Sequence, residues 1–512
     1  MENLFSEKDI AYIASKGYEL EKISQQLAFF QKGVAPLQLV KSATIGDGIQ
    51  QLSSDEKLFF SQYFDSQKGN QQLQKFVPAS GAATRMFQFL NVFLNDFDPN
   101  SDTLTGYINK TGDQNLNVFI VGIRKFPFHA QLKEKTKELF PEYNTFSRDQ
   151  KVHAIIYTLL HKTGLDFTTK PKGILPFHLK NNQLITPVEE HIAEAKQLSN
   201  RSQNSRIHFT ISKEFQADFD ALVSRQSEVE VDFSYQNDTT DTLAVDEHNN
   251  PFRLSDGSLL FRPAGHGALI ENLNQVDADV IFIKNIDNIS QAEQEQCVFN
   301  QKVLAGKLLH LQNQIFDYIQ KLKVDTYDVA LMQEIKLFVA QQLSFPLPDE
   351  FQMLQSTYQK EYLIKILNRP IRVCGMVKNE GEPGGGPFWV QDEKGRITLQ
   401  IVETSQIDLT NELQKNCVNS ATHFNPVDIV CGVKNAQGQK FDLTEYIDHQ
   451  AVIITQKTIL GQPIKAIELP GLWNGAMAKW NTVFVEVPLA TFNPVKSVND
   501  LLKPAHQPVY ES

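Results

Sequence analysis

The apolar positions of this chain change repeatedly between two periods, one typical of strands and one typical of helices. Apolar runs predict strands at residues 74–78, 118–123, 206–212, 229–236, 280–285, 371–378, 397–403, 428–433 and 483–487. Helical spacing fills most of the sequence between them, and residues 291–367 carry so few turn signals that several helices are expected. Strands that alternate with helices predict an α/β fold with a mainly parallel sheet.

The chain divides by pattern into an N-terminal region and a larger second part. Residues 1–72 combine amphipathic helical spacing with many Lys, Glu and Gln residues, so we expect an N-terminal helical region. Residues 73–512 contain most of the predicted strands, so we expect them to form the α/β domain.

Composition and charge narrow the class of protein. Hydrophobic residues make up 41% of the 512 positions, which is ordinary for a globular protein with a large core. The formal net charge of −11 argues against a nucleic-acid polymer or an anionic membrane as partner, but a local Lys/Arg pocket can still bind a small anion. Neither a leader pattern nor an apolar run of about 18 residues is found, so we expect a soluble cytoplasmic protein. The cysteines lack zinc-site spacing and are expected to be reduced thiols: Cys297, Cys374, Cys417 and Cys431.

Residues 261–289 combine a Gly-His-Gly loop with a polar cluster at the end of an apolar strand. GHGALIENL indicates a loop that leads into a helix, and VIFIKNIDN indicates a buried strand followed by Asn285, Asp287 and Asn288. Open α/β sheets bind ligands at the carboxyl ends of their strands, where a carboxylate can hold a divalent metal against phosphates. Glycines in the loop allow backbone to approach a ligand closely. The alternative is an Asx turn beside a structural loop histidine, His266.

A second candidate is PASGAATR, which lies between a predicted strand and a helix. A turn of small residues before a helix exposes backbone N–H groups that suit an anion, and Thr84 and Arg85 add a hydroxyl and a guanidinium. The segment matches neither a P-loop nor a dinucleotide fingerprint. A tight strand-to-helix turn without a ligand is the alternative.

Further candidates carry weaker signals. Lys172 lies between two prolines in TKPKGILPFH and suits a phosphate, although most such lysines are solvated surface groups. Residues 384–408 predict a hairpin whose second strand ends at a polar cluster beginning with Glu403, which can reach sugar hydroxyls. Asn425 lies at the start of a strand in HFNPVDIV, and Lys496 lies between a proline and a helix N-cap in NPVKSVNDLL.

Taken in order, these blocks resemble those of the UDP-sugar pyrophosphorylase family, nucleotidyltransferases that make UDP-glucose and UDP-N-acetylhexosamines. Members carry P-x-GHGD and a strand ending N-V-D-N-L, where this chain has RPAGHGAL and NIDNI. They carry a glycine pair and a strand ending L-E-x-x-Q-V-P, where this chain has GGGPFWV and IVETSQID. They then carry ETA-x-GAAI and PVK-x-x-x-DLL, where this chain has ELPGLWNGAMAK and PVKSVNDLL. The chain is identified as a member of a distant, uncharacterised bacterial branch, a domain of unknown function.

The resemblance implies a nucleotide-diphospho-sugar transferase fold, a GT-A-like and Rossmann-like mixed sheet with helices on both faces. It implies a catalytic domain over residues 73–512 with insertions at 86–165 and 291–368, and Mg²⁺ as cofactor. The implied reaction joins an NTP, UTP by the resemblance, to a sugar 1-phosphate and releases pyrophosphate. The implied site residues are Arg85, Lys172 and Lys496 for catalysis, Ser80, Gly81, Ala82, Ala83, Thr84, Gln236, Gly265 and His266 for the nucleotide, Asn288, Glu403 and Asn425 for the sugar, and Asp287 for the metal.

Departures from the family pattern leave two alternatives open. Ser80 and Ala83 stand where the family has glycines, and Ala268 replaces the acid of GHGD. A glycosyltransferase of the same fold would transfer sugar without releasing pyrophosphate. A catalytically inactive protein that binds a nucleotide or a sugar phosphate would need neither the metal nor both lysines.

Overall fold

The computed structural model describes residues 5–199, 205–224, 228–324, 328–382, 384–459 and 461–508. Its α-helices are α1 (Glu7–Ser15), α2 (Leu20–Lys32), α3 (Ser54–Gln67), α4 (Gln88–Asp96), α5 (Leu104–Thr111), α6 (Gln114–Gly122), α7 (His129–Leu139), α8 (Arg148–Leu160), α9 (Pro187–Leu198), α10 (Gln216–Val223), α11 (Leu269–Gln275), α12 (Gln294–Leu322), α13 (Val329–Gln341), α14 (Ser356–Leu367) and α15 (Glu412–Asn419). Its strands are β1 (Gln38–Ser42), β2 (Thr44–Ile45), β3 (Gly48–Gln50), β4 (Leu73–Pro78), β5 (His178–Lys180), β6 (Gln183–Ile185), β7 (Ser205–Ile211), β8 (Val229–Tyr235), β9 (Thr242–Leu243), β10 (Phe261–Arg262), β11 (Val280–Ile283), β12 (Ile371–Lys378), β13 (Gly386–Gln391), β14 (Ile397–Val402), β15 (His423–Gly432), β16 (Ile453–Ile459), β17 (Gln462–Glu468) and β18 (Asn481–Glu486).

The chain forms two compact units, each made from separate stretches of sequence. Unit 1 contains residues 1–73, 234–283 and 301–487, and unit 2 contains residues 74–233, 284–300 and 488–512. The predicted α/β class is confirmed. The predicted boundary at residue 72 and the predicted insertions stay predictions.

Unit 1 contains a mixed sheet whose described strands follow the order β2-β3-β18-β12-β15-β11. β12 runs parallel to β18 but antiparallel to β15, and β11 also runs antiparallel to β15. β18 also runs parallel to β3, and β3 runs parallel to β2, so most pairs in this order are parallel as expected. The two antiparallel pairs both involve β15, because the chain leaves β12 through the β13–β14 hairpin and α15 and returns in the opposite direction. The mixed sheet that the resemblance implies is therefore confirmed. Seven consecutive residues of β12 are buried, which explains its nearly continuous apolar run.

Residues 1–72 are only partly helical. The helices α1, α2 and α3 follow the expected amphipathic pattern, but residues 38–50 form the strands β1, β2 and β3. β1 pairs with β13, and the Gln414 side chain accepts a hydrogen bond from the Leu39 N–H and donates one to its carbonyl. The expected helical region is corrected at these residues, because long-range pairing decides their structure.

Unit 2 contains β4, β7 and β8 as neighbours in that order, with β4 parallel to β7. The predicted strand at residues 118–123 is wrong, because residues 114–122 form α6. Asp113 caps this helix by accepting hydrogen bonds from the N–H groups of Asn115 and Leu116. Leu116 and Phe119 are fully buried at helical spacing, within the aromatic core formed by α4–α8.

The region at 291–367 is helical as predicted and contains α12, α13 and α14. Among the described residues, no helix is both long enough and apolar enough to cross a membrane.

Candidate functional site

Lys172 and Asp287 form an ion pair in unit 2, although 115 positions separate them in the sequence. The Lys172 Nζ donates to Asp287 Oδ2 at 2.7 Å and to the Val495 carbonyl at 2.8 Å. Both side chains are largely buried, with 16% of Lys172 and 19% of Asp287 exposed. The structure thus brings the predicted phosphate lysine and the predicted metal ligand into direct contact, next to the residue that precedes Lys496.

The main chain around Asp287 is held from several directions. Its carbonyl accepts a hydrogen bond from the Val495 N–H at 3.1 Å. The side chain of Asn288, only 3% exposed, donates to the Thr491 carbonyl at 3.3 Å and accepts from the Asn493 N–H at 2.8 Å. These contacts favour a structural role for Asn288 over the predicted sugar contact, because both ends of its amide already bind the segment before Lys496.

Three buried charged side chains form a group that includes Lys284, which is three positions before Asp287 in the sequence. Glu194 accepts a hydrogen bond from Lys284 at 2.9 Å and another from Lys75, and all three side chains are almost fully buried. Burial alone would raise the pKa of Glu194, but the ammonium groups of Lys284 and Lys75 outweigh burial and lower that pKa. Sequence reasoning missed this group, because a Lys inside an apolar run gives no sign of a carboxylate about 100 positions away.

His191 connects this buried region to the Asp287 loop. Its Nε2 donates to the Ile286 carbonyl at 3.2 Å, one residue before Asp287. Burial lowers the pKa of His191 well below its ordinary value, and the positive charge of Lys75 adds to this effect. The imidazole is therefore neutral at pH 7, in the tautomer that carries a proton on Nε2.

The predicted phosphate loop runs from the end of β4 into a short 3₁₀ turn at Ala83–Phe87, which contains Ala83, Thr84 and Arg85. The N–H of Ala83 donates to the Lys170 carbonyl at 2.9 Å, and the Lys172 N–H donates to the Gly81 carbonyl at 3.1 Å. The expectation of a helix N-terminus directly after the loop is therefore corrected: α4 starts only at Gln88, and the N–H of Ala83 is already bonded. Ala83 is buried in the core, whereas Gly81, Ala82, Thr84 and Arg85 are exposed and Ser80 is half-buried.

Lys496 is exposed and lies two residues before a 3₁₀ helix at Val498–Leu502. Its N–H donates to Asp500 Oδ2 at 2.9 Å, and its Nζ lies 5.8 Å from the centre of the Phe492 ring. The Val495 carbonyl accepts a hydrogen bond from Lys172, and the Val495 N–H donates one to the Asp287 carbonyl. Since Lys496 directly follows Val495, its backbone is held next to the Lys172–Asp287 ion pair.

The predicted base-binding residues lie in unit 1. Gly265 has a φ of +75°, a conformation that favours glycine, and it begins the 3₁₀ turn that carries His266. The imidazole packs against Trp473 with ring centres 5.0 Å apart, and a Cβ at Gly471 would lie only 2.5 Å from its Nε2. Burial lowers the pKa of His266, although Glu403 and Glu468 act in the opposite direction.

The predicted sugar residues of unit 1 lie on both sides of a glycine loop. Glu403 Oε1 accepts a hydrogen bond from Asn474 Nδ2 at 3.2 Å. Asn425 lies on β15, and its buried Oδ1 has no hydrogen-bond partner among the described residues. Gly384 lies against Asn425, since a Cβ there would be 3.8 Å from its Nδ2, and the Gly384 carbonyl accepts a hydrogen bond from the Thr404 hydroxyl. Gln236 is half-buried just after β8.

Asn474 is a residue of this group that sequence reasoning missed. It lies in the ELPGLWNGAMAK block, directly before a 3₁₀ turn at Gly475–Met477, and is almost fully buried. The sequence does contain one signal for Asn474, a single amide side chain within a largely apolar stretch. Such a residue indicates a specific hydrogen-bond partner, because a buried amide without one is costly.

The residues of unit 2 fit a divalent cation. Mg²⁺ commonly binds one or two carboxylates and completes its coordination with water and substrate phosphates. Asp287 supplies one carboxylate, and the Lys172 ammonium 2.7 Å away marks a position that already suits a cation. Within the described ranges no group of three or more His, Cys, Asp or Glu side chains could hold a metal alone. The remaining ligands would therefore come from phosphates.

The cysteines among the described residues are free thiols. Cys374 and Cys431 are buried in the unit 1 sheet, and burial raises the pKa of Cys374 to about 11. A thiol with such a pKa is protonated and unreactive at neutral pH.

Comparison with known proteins gives a family and a set of distant structural likenesses. No curated protein matches the sequence significantly. The chain is similar to UDP-glucose pyrophosphorylase from Leishmania major (12% identity, TM-score 0.42, 96% of this chain and 77% of that chain). It is also similar to uridine diphosphate N-acetylglucosamine pyrophosphorylase from Trypanosoma brucei (13% identity, TM-score 0.45, 97% of this chain and 79% of that chain).

At these TM-scores the likeness decides neither the activity nor the substrate of this chain. A family model described as "Domain of unknown function (DUF4301)" matches residues 6–507, which confirms the predicted membership of a domain-of-unknown-function family. The chain therefore belongs to the DUF4301 family.

Proposed function

We propose that the chain is a nucleotidyltransferase that joins an NTP, with UTP as the first candidate, to a sugar 1-phosphate and releases pyrophosphate. The proposal includes the nucleotide-diphospho-sugar transferase fold and the predicted site residues, with Asn288 holding the Asp287 segment rather than contacting the sugar. One observation carries it: the Lys172 ammonium contacts both the Asp287 carboxylate and the Val495 carbonyl. Three sequence blocks that the family resemblance assigns to phosphate and metal binding thus meet in one place.

The proposed reaction needs charge and position more than it needs a base. An oxygen of the sugar phosphate attacks the α-phosphorus of the NTP, and the bond from that phosphorus to the bridging oxygen of pyrophosphate breaks. A phosphate is already an anionic nucleophile at pH 7, so no side chain has to remove a proton. Catalysis of such a transfer rests mainly on orientation and on neutralising the phosphate charge.

The residues of unit 2 suit these tasks. Arg85 is exposed beside the predicted phosphate loop, and a guanidinium can bind two phosphate oxygens at once. Lys172 and Lys496 are proposed to bind the triphosphate and to offset charge that develops at the α-phosphate. Asp287 is proposed to hold Mg²⁺, which neutralises and orients phosphates when bound.

The residues of unit 1 suit selection of the base and the sugar. His266 is neutral at pH 7 because its pKa is lowered, and neutral donors and acceptors suit a base edge. The proposed base contacts are Gln236 and Gly265. The free, buried Oδ1 of Asn425 and the carboxylate of Glu403 are proposed to accept hydrogen bonds from sugar hydroxyls.

The direct test is pyrophosphate release, followed by phosphorus NMR, from mixtures of each NTP with each candidate sugar 1-phosphate and Mg²⁺. We expect release with one preferred pair, and its loss in Asp287→Asn, which keeps the size of the side chain and removes its charge. Asp218→Asn is the matched control, because Asp218 is exposed on α10 in the same unit. Sugar transfer without pyrophosphate would favour a glycosyltransferase, and binding of nucleotide without any reaction would favour an inactive binding protein.

A further inference from the structure

The predicted metal ligand is already neutralised by a side chain of the same protein. The Lys172 Nζ lies 2.7 Å from Asp287 Oδ2, and its second contact is the Val495 carbonyl at 2.8 Å. A carboxylate oxygen and a backbone carbonyl oxygen, the two atoms that contact this ammonium, are also ligand types that bind divalent cations. Two cations cannot occupy this position together, because their mutual repulsion in a partly buried place is large.

Of the two partners, Lys172 is the one that can move. Asp287 is fixed through its own carbonyl by the Val495 N–H, and its neighbour Ile286 is held by His191. The backbone of Lys172 is also held, since its N–H donates to the Gly81 carbonyl, but its ammonium lies at the end of a flexible four-carbon chain and can leave the Asp287 carboxylate without moving the backbone. That same backbone contact keeps Lys172 beside the predicted phosphate loop.

We propose that Lys172 and a divalent cation exchange on Asp287. In the nucleotide-free protein Lys172 neutralises the carboxylate, and when phosphates bind with their metal the ammonium turns to a phosphate oxygen. Asp287 is then available to the incoming cation. The identity of the ligands in this exchange rests on the proposed function, but the competition between Lys172 and a cation does not.

The exchange makes binding of the metal and binding of phosphate favour each other. A phosphate that attracts the ammonium lowers the cost of freeing Asp287, so the metal binds more tightly when phosphate is present. Without phosphate, the metal has to displace a bonded ammonium and binds weakly. The affinity of the nucleotide-free protein for a metal alone therefore reports the competition directly.

The test uses Mn²⁺ alone as the probe, with electron paramagnetic resonance to count free ions, and the full chain without nucleotide. We expect Lys172→Met and Lys172→Gln to bind Mn²⁺ about tenfold more tightly than the wild type, the scale expected for removing a partly buried competing charge. Adding Asp287→Asn to Lys172→Met should abolish the gain. Lys170→Met is the matched control, since Lys170 lies two positions away and contacts the Leu165 carbonyl instead.

Equal Mn²⁺ affinity in the wild type and both Lys172 variants, whether strong or too weak to measure, would overturn the exchange. Circular dichroism confirms that each variant is folded, and Lys172→Gln keeps the comparison possible if Lys172→Met does not fold. Pyrophosphate release by the wild type separates the two hypotheses. Release with unchanged Mn²⁺ affinities would refute only the exchange, and tighter Mn²⁺ binding without release would refute only the proposed activity.

Discussion

The two units carry candidate residues of different kinds. In unit 2 they are mostly full charges, with the ammonium and carboxylate of Lys172 and Asp287 in contact and Arg85 and Lys496 exposed. In unit 1 they are mostly neutral groups packed against glycine, such as His266 beside Gly471 and Asn425 beside Gly384. The difference matches the needs of two ligand classes, because phosphates require charge, whereas bases and sugars require hydrogen bonds in a fixed geometry.

The buried charges of unit 2 provide the largest expected effect. Glu194→Gln removes the buried carboxylate that both Lys75 and Lys284 contact, and we expect the free energy of unfolding to fall by about 3–5 kcal/mol. Urea denaturation followed by circular dichroism measures it. Glu214→Gln is the control, because Glu214 is exposed in the same unit. A loss below about 1 kcal/mol would show that Glu194 does not stabilise the buried ammonium groups of Lys75 and Lys284.

The second test concerns the transfer step itself. Lys496→Ala should lower kcat roughly 10²–10³-fold, the scale of losing one preorganised donor, with a small change in KM. Steady-state pyrophosphate release measures both constants. Lys503→Ala, in the same segment and mostly exposed, should leave them unchanged. A loss of less than about threefold for Lys496→Ala would remove Lys496 from the transfer step.

The third test asks whether unit 1 selects rather than transfers. Asn474→Ala removes the amide that donates to Glu403, and we expect KM for the sugar 1-phosphate to rise about tenfold with kcat nearly unchanged. Asn416→Ala, at an exposed position of α15, is the control. A fall in kcat at constant KM would contradict the contrast, since it would make Asn474 part of the transfer step.

The smallest expected effect is a dependence of stability on pH. Burial lowers the pKa of His506 from 6.5 to about 3, and the nearby His178 adds to this shift. The folded state keeps His506 neutral while the unfolded chain binds the proton, so stability is complete above pH 6.5 and falls as the pH drops toward 3. We expect a loss of about 1 kcal/mol between pH 6 and pH 5 that His506→Gln reduces. An identical pH profile in the variant would exclude His506 as the source.

The sequence predicted the central strands well, because their signal is local. The apolar runs at 280–285 and 371–378 correspond to β11 and β12, and the polar cluster at 285–288 follows β11 as expected. The strand predicted at 118–123 was wrong, because a short apolar run does not distinguish a strand from a helix by its period. The N-cap at Asp113 favours the helix that forms. The β16–β17 hairpin was missed although its alternating pattern is visible in the sequence.

Long-range contacts within unit 2 explain why its candidate site was only partly predictable. Lys172 and Asp287 were each identified from short motifs, but nothing local indicates that they contact each other. The structural use of Asn288 was equally hidden, because its partners at 491–493 are about 200 positions away. The motifs predicted which residue types bind phosphate or metal, whereas the contacts between these residues could be known only from the three-dimensional structure.

The proposed transfer is reversible, so pyrophosphate and a nucleotide sugar should give an NTP and a sugar 1-phosphate at the charged residues of unit 2. The most direct measurement is incorporation of labelled pyrophosphate into NTP when the protein is incubated with a nucleotide sugar and Mg²⁺. We expect label to enter the NTP only when the nucleotide sugar is present and a sugar 1-phosphate to form with it. We expect Asp287→Asn to abolish both products. Absence of label with every nucleotide sugar, or label that enters NTP without any nucleotide sugar, would refute the proposed nucleotidyl transfer.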